Sequence, residues 1–289
     1  MNKIKVLITG ATGQLGMELM ELLQNERKYE YFGMGKKSLD VTNFVSVKQV
    51  VNDIKPGVIL HLAAYTHVDA SEQNPDQAYL INAYGTRNVA VAAQEINAKL
   101  IYVSTDYVFN GTTHSAYHEL DTISPVSIYG KSKAAGEDFV RNLHLRHFIV
   151  RTSWLYGKHG TNFVKKILNV SEEKEEIFVV SDQIGSPTYS LDLCHFLLNL
   201  MNTEKYGTYH FSNSGHCSWY EFAQTIIQFS GMTVKVIANK TDKLAYPAPR
   251  PTYSVFEHQA IRLNGFKKPR MWREALKDFM DDRIEKPEE

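Results

Sequence analysis

Short apolar runs alternate with stretches whose apolar side chains recur every three or four positions, and this rhythm fills the first half of the chain. Ile4 to Thr9, with Val-Leu-Ile at its centre, predicts a strand buried on both faces. Leu15, Leu19, Leu22 and Leu23 then share one side of a predicted helix. Tyr29 to Met34 reads as a second strand, Val45 to Ile54 as a helix stopped by Pro56-Gly57, and Val58 to Leu62 as a third strand. Gln77 to Glu95 predicts one long helix with Ala78, Ile81, Val89 and Ala92 inward. Leu100 to Val103 and His147 to Val150 predict further strands, with a helix over Ile128 to Leu143 between them.

Strand–helix repetition of this kind implies a parallel sheet with right-handed crossovers and helices on both faces, an α/β, Rossmann-type doubly wound fold. Such sheets take ligands beyond the carboxyl ends of their strands, where the strand order reverses. After about residue 155 strands thin out and turn signals multiply, as in Gly185-Ser186-Pro187, Asn213-Ser214-Gly215 and Pro247-Ala248-Pro249-Arg250-Pro251. The expected organisation is a nucleotide-binding domain over 1–155 and a smaller α+β, mainly substrate-binding portion over 156–289. Segments such as the helix Ser190 to Met201 are expected to pack back on the first domain.

Composition narrows the class. Lys+Arg and Asp+Glu both number 32, so the formal net charge is zero and a nucleic-acid binder, which needs a basic surplus, is not expected. No apolar run reaches the roughly 20 residues that span a bilayer, and the N-terminus runs directly into a strand without a signal-peptide core, so a cytoplasmic location with no membrane partner is expected. The two cysteines, Cys194 and Cys217, each fall in a segment reading as helix or helix start and suit a reducing compartment, with a single disulfide left open. The eleven histidines show no metal-ligand spacing, and no catalytic metal is expected.

Two places carry candidate chemistry. The first strand runs into Gly10-Ala11-Thr12-Gly13-Gln14-Leu15-Gly16, whose glycines serve a tight turn, close approach of backbone N–H groups to a pyrophosphate, and helix–sheet packing. The helix that follows offers the phosphates unpaired amides and partial positive charge. At the tip of the second strand, where NAD sites place a carboxylate for the ribose, the chain reads Gly33-Met34-Gly35-Lys36-Lys37. Two cations and no acid there favour NADPH, with NADH acceptance open and solvated loop lysines as the plain alternative. Asp40, beside Val41, comes too late for the ribose; it is left to reach the adenine or to cap the helix that begins near Asn43.

The second place is Tyr129-Gly130-Lys131-Ser132-Lys133. Tyr129 and Lys133 are four apart and therefore share a helical face. A free phenol with a pKa of about 10 exchanges protons poorly at neutral pH, and a nearby ammonium is expected to lower that value. Thr105 ends the fourth strand, where a hydroxyl can face a substrate carbonyl in the ligand cleft.

Thr105 with Tyr129 and Lys133, under a Gly-x-x-Gly-x-x-Gly loop, resembles the extended short-chain dehydrogenase/reductase superfamily. Further blocks are similar to its dTDP-4-dehydrorhamnose reductase family: Ala63 to Asp69, Ser104 to Gly111, Ser124 to Lys131, Arg151 to Gly157, Asp182 to Thr188 and Arg250 to Ser254. The resemblance implies NADPH-dependent reduction of the 4-keto group of dTDP-4-dehydro-L-rhamnose, in nucleotide-sugar and polysaccharide biosynthesis. It implies that Tyr129 gives the proton, Lys133 lowers the Tyr129 pKa and holds the nicotinamide ribose, and Thr105 polarises the ketone. Cofactor contacts are implied at Gly10, Thr12, Gly13, Gln14, Leu15, Gly16, Lys36, Asp40, Val41, Ala63, Ala64 and Tyr65, besides Tyr129 and Lys133.

The dTDP-sugar is implied to meet Val68, Thr105, Asp106, Tyr107, Tyr129, Trp154 and Arg250, with Trp154 as a flat platform and Arg250 on the diphosphate. The plain alternatives are a core aromatic at 154 and an arginine at 250 that braces its loop. Asn82 stands equally for cofactor contact and for satisfying a buried backbone group. The resemblance also raises Mg²⁺ at a subunit interface, for which the sequence places no site, and leaves monomer or homodimer open. Dehydratases of the superfamily carry Asp-Glu after the threonine, where this chain has Asp106-Tyr107, and its fucose-forming epimerase-reductases carry a cysteine here that is absent. A non-catalytic regulatory subunit, like that of methionine adenosyltransferase, remains the rival of another class.

Overall fold

The computed structural model describes residues 3–243 and 246–285. In chain order it contains β1 (Ile4–Thr9), α1 (Gln14–Gln24), β2 (Tyr29–Met34), α2 (Phe44–Ile54), β3 (Val58–His61), α3 (Val68–Gln73), α4 (Pro75–Tyr79), α5 (Thr86–Glu95) and β4 (Lys99–Thr105). Then come α6 (Ile128–Leu143), β5 (His147–Thr152), β6 (Leu155–Tyr156), α7 (Phe163–Glu173), β7 (Glu176–Val180), β8 (Ile184–Gly185), β9 (Thr188–Tyr189) and α8 (Ser190–Met201). The remainder holds β10 (Gly207–His210), β11 (Cys217–Ser218), α9 (Trp219–Ser230), β12 (Lys235–Asn239), α10 (Gln259–Leu263) and α11 (Trp272–Glu285).

Six strands form one parallel sheet in the order β10-β5-β4-β3-β1-β2. Its middle strands are buried on both faces, as their unbroken apolar runs require. One face packs on α1 and α8 through Leu15, Leu19, Leu193 and Leu197; the other packs on α2, α5 and α6 through Val47, Val51, Val89 and Val140. The last sheet strand and one face-covering helix thus come from beyond residue 155. A hydrogen bond from Ser190 Oγ to Glu18 ties α8 to α1. A separate apolar cluster joins α7, α9 and α11 around Phe222, Ile226 and Leu276.

The chain leaves β1 for β2 on one side and returns to β3 on the other, so the order reverses between β1 and β3. That is where the loops after β1 and β3 splay apart and open a crevice.

Two expectations about elements need correction. Gln77 to Glu95 is not one regular α-helix: α4 and α5 are joined without a break by a π-helical turn, Leu80–Gly85. The wider turn carries Asn82, whose side chain accepts from Tyr65 N at 2.7 Å and donates to Tyr65 O at 3.1 Å and to Ser132 Oγ at 3.0 Å. Between the two readings of Asn82, backbone satisfaction is what the structure contains. Cys217 lies in β11 rather than at a helix start, because the ladder to β8 holds it extended just ahead of α9. Both cysteines are buried and free, so no disulfide joins them.

Candidate active site

A cleft of about 720 Å³ runs from the loop after β1 to the carboxyl ends of β4 and β5. At its first end Gly10 has φ +69°, and a Cβ there would fall 2.6 Å from Ala63 N. A Cβ at Gly16 would fall 2.5 Å from Gly10 O, so both positions need glycine for the turn and for helix contact. The N-cap of α1 is Gly13, with no side-chain cap and no acid in the first turn. Its leading amides therefore remain available to an anion.

Gly10, Thr12, Gly13, Gln14, Leu15 and Gly16 all line the cleft, as do Lys36, Asp40, Val41, Ala63 and Ala64. The structure keeps Tyr65 and Lys37 out of this lining. Asp40 does not cap α2; Asn43 does, accepting from Ser46 N at 3.1 Å. The Asp40 carboxylate accepts instead from Thr42 N and Oγ1, which hold its pKa below the ordinary value.

At the other end Thr105, Asp106, Tyr107, Tyr129 and Lys133 converge. Tyr129 opens α6, whose N-cap Ser127 accepts from Gly130 N at 3.1 Å. The phenol ring meets Tyr107 edge to face, centroids 5.5 Å apart. Lys133 follows one turn later, buried, donating from Nζ to Val103 O at 2.7 Å with the Tyr102 ring 4.0 Å beneath. Behind it Glu137 accepts from Ser104 Oγ at 2.6 Å and pairs with Arg151 at 2.8 Å, locking α6 to the ends of β4 and β5.

The electrostatics differ from the sequence expectation. Burial pushes the Tyr129 phenol up to about 12, with the hydrogen bond from Thr105 pulling the other way. Lys133 is drawn down to about 7 by burial, opposed by Glu137. Its ammonium is spent on Val103 O and the Tyr102 ring, so the expected lowering of the tyrosine by the lysine is absent and Tyr129 is held protonated. Asp106 rises to about 6, chiefly by burial. Its Oδ1 accepts from Thr105 Oγ1 at 3.0 Å, and Ser254 and Thr105 beside the carboxyl oppose the rise.

Val68 and Trp154 line the cleft as well, but Arg250 does not. Arg250 makes a bidentate pair with Asp69 at 2.7 and 3.0 Å and lies 3.8 Å over the Tyr246 ring. Trp219, at the start of α9, belongs to the lining and was missed in the sequence. The signal available was the capping box Ser218-Trp219-Tyr220-Glu221, which marks a helix start. It says nothing of where that start is aimed. Among the described residues no three His, Cys, Asp or Glu side chains are grouped to hold a metal ion, and no helix is long and apolar enough to cross a membrane.

A doubly wound parallel sheet, a glycine cradle at its switch point and a Thr–Tyr–Lys constellation at the far end of one cleft define an oxidoreductase of the extended short-chain dehydrogenase/reductase class. The family model described as RmlD substrate binding domain matches residues 4–284. The chain belongs to that family.

A dTDP-4-dehydrorhamnose reductase from Bacillus anthracis str. Ames, solved in complex with NADP, superposes with a TM-score of 0.96 at 52% identity, covering 97% of this chain and 100% of that one. The spore coat polysaccharide biosynthesis protein SpsK of Bacillus subtilis is 44% identical over 96% of this chain and 98% of its own length. The dTDP-4-dehydrorhamnose reductase of Aggregatibacter actinomycetemcomitans is 39% identical over 95% and 98%.

Proposed function

We propose that the protein reduces the 4-keto group of dTDP-4-dehydro-L-rhamnose with NADPH to give dTDP-L-rhamnose. The observation that carries this reading is the meeting of Thr105, Tyr129 and Lys133 at the end of the cleft that starts in the Gly10–Gly16 cradle. The names and the NADP complex of the relatives support it. Lys36 at the lip of the cleft, with no carboxylate at the tip of β2, supports NADPH over NADH.

NADPH, bound along the cradle, supplies the hydride that reaches the ketone carbon. Tyr129, kept protonated by its buried setting, gives its proton to the oxygen as that atom gains charge. The Thr105 hydroxyl is positioned beside the same oxygen and turns from Asp106 to donate to it. Lys133, one helical turn beyond Tyr129 and lining the same cleft, is the residue that holds the nicotinamide ribose. Arg250 serves the diphosphate only by exchanging Asp69 for it.

The deciding experiment is an NADPH-oxidation assay with dTDP-4-dehydrorhamnose made in situ by the preceding enzymes. Stoichiometric NADPH consumption with dTDP-rhamnose as product is the expected result; no consumption at saturating substrate would turn the reading toward a non-catalytic NADP-binding subunit.

A further inference from the structure

The wall of the cleft beyond the catalytic residues is built by two tryptophans. Trp154 has a left-handed backbone, φ +48°, a conformation that a bulky residue keeps only when its surroundings hold it. What holds it is visible. Trp219 lies parallel to it, centroids 3.5 Å apart and planes within 8°. The ladder of β11 on β8 pairs Cys217 with Gly185, and so delivers both Gly185 and the start of α9 to this point.

A Cβ at Gly185 would stand 2.5 Å from Cε2 of Trp154 and 2.7 Å from Cζ2 and Nε1. Cε2 is recessed between those two atoms, so an approach that meets it first comes down on the ring face and not along the edge. Gly185 and Trp219 therefore cover the two faces of Trp154. The flat platform expected of Trp154 is already occupied by protein.

What remains for a ligand is the edge of the pair. Both indoles line the cleft and are half-buried. Among the described residues neither indole N–H has a hydrogen-bond partner. The rim of an aromatic ring carries the positive end of its quadrupole, and an indole N–H only donates. Two such rims side by side suit the oxygen lone pairs of a hydroxylated ring. Phe163, 4.4 Å from Trp219, and Phe222 behind both indoles support the stack from the protein side.

We propose that Trp219 is a specificity-determining residue for the sugar nucleotide, forming with Trp154 a double-edged wall that the hexose meets. The inference rests on the nucleotide-sugar reading above and adds a residue to it. The cradle at Gly10–Gly16 and Lys36 lie at the other end of the cleft, so cofactor binding should not depend on Trp219.

The test compares wild type, Trp219→Phe and Trp219→Ala. Stacked indoles couple their transitions, so wild type should show an exciton couplet in far-ultraviolet circular dichroism that Trp219→Phe lacks; its absence from wild type overturns the wall. In Trp219→Ala the KM for dTDP-4-dehydrorhamnose should rise by about 10-fold or more, with the KM for NADPH within about twofold. Trp219→Phe keeps a ring but loses the N–H, and should fall between. A lower melting temperature with unchanged sugar KM in both variants overturns the proposal, as does an unchanged sugar KM in Trp219→Phe when Trp219→Ala fails to fold. Titration of dTDP-rhamnose, followed by tryptophan fluorescence, separates this inference from the proposed reaction. Binding by wild type that weakens in Trp219→Ala upholds the wall even without turnover, whereas no binding by wild type sinks both.

Discussion

Gly130 lies against the carbonyl of Tyr107 so closely that a Cβ at 130 would sit 2.2 Å from that oxygen. Tyr107 follows Thr105 and Asp106 at the end of β4, and Gly130 follows Tyr129 at the start of α6. The missing side chain is what lets the start of α6, with Tyr129, approach the strand end that carries the Thr105 hydroxyl.

Gly130→Ala therefore sets two effects against each other. Alanine favours a helix by about 1 kcal/mol over glycine. Here the obstacle is a backbone carbonyl that cannot swing away, and overpacking of that kind costs about 1–3 kcal/mol. The clash should win: thermal melts should show lower stability, and kcat should fall while the KM for NADPH holds. A more stable variant would contradict the close approach.

Tyr129→Phe removes the hydroxyl proposed as proton donor and little else. Turnover should drop by about 10²–10⁴-fold, while NADPH binding, followed by fluorescence titration, stays near the wild-type value. Near-normal rates would rule out the assigned role.

Lys36 lines the cleft and Lys37 does not. Lys36→Ala should weaken NADPH by roughly tenfold, the scale of one charge-assisted hydrogen bond, and leave NADH nearly unchanged. Lys37→Ala should alter neither. Equal losses for both cofactors in Lys36→Ala would remove the case for a 2′-phosphate contact.

Burial lowers Lys133 from an ordinary 10.5 to about 7. Between those values the unfolded chain keeps a proton that the folded chain has released, so this group makes stability rise with pH. Its contribution is complete above 10.5 and is lost as pH falls through about 7. The melting temperature of wild type minus that of Lys133→Met should accordingly climb across that window. A flat difference would mean that Lys133 is not buried as a charge-averse group.

Asp106 is raised to about 6, chiefly by burial. The profile of kcat/KM against pH, which reports the free enzyme, should carry an inflection near that value. Asp106→Asn should abolish the inflection; its persistence would assign it to another group.

Local physics makes most of the frame legible in the sequence. A run such as Val6-Leu7-Ile8, short and closed by a glycine turn, fits a strand buried on both faces, and the glycine spacing from Gly10 to Gly16 fits the turn from a strand into a helix. Tyr129 and Lys133 share a face by helical geometry alone, and Thr105 closes a strand run. Each of these follows from periodicity or steric need within a few residues. The sequence by itself therefore determined the alternating α/β order, the glycine cradle and the helical face that Tyr129 and Lys133 share.

Tertiary structure decided what depends on neighbours far away in the chain. The π turn carries Asn82, which serves the backbone of Tyr65, seventeen positions earlier. The pKa values of Tyr129 and Lys133 are shifted by burial where α6 packs on the end of β4, which no i, i+4 spacing encodes. Trp154 lost its open face to Gly185 and Trp219, brought there by the pairing of β8 with β11. Arg250 met Asp69 across 181 positions. Spacing fixes which side chains share a face; desolvation and long-range packing fix what those side chains are then free to do.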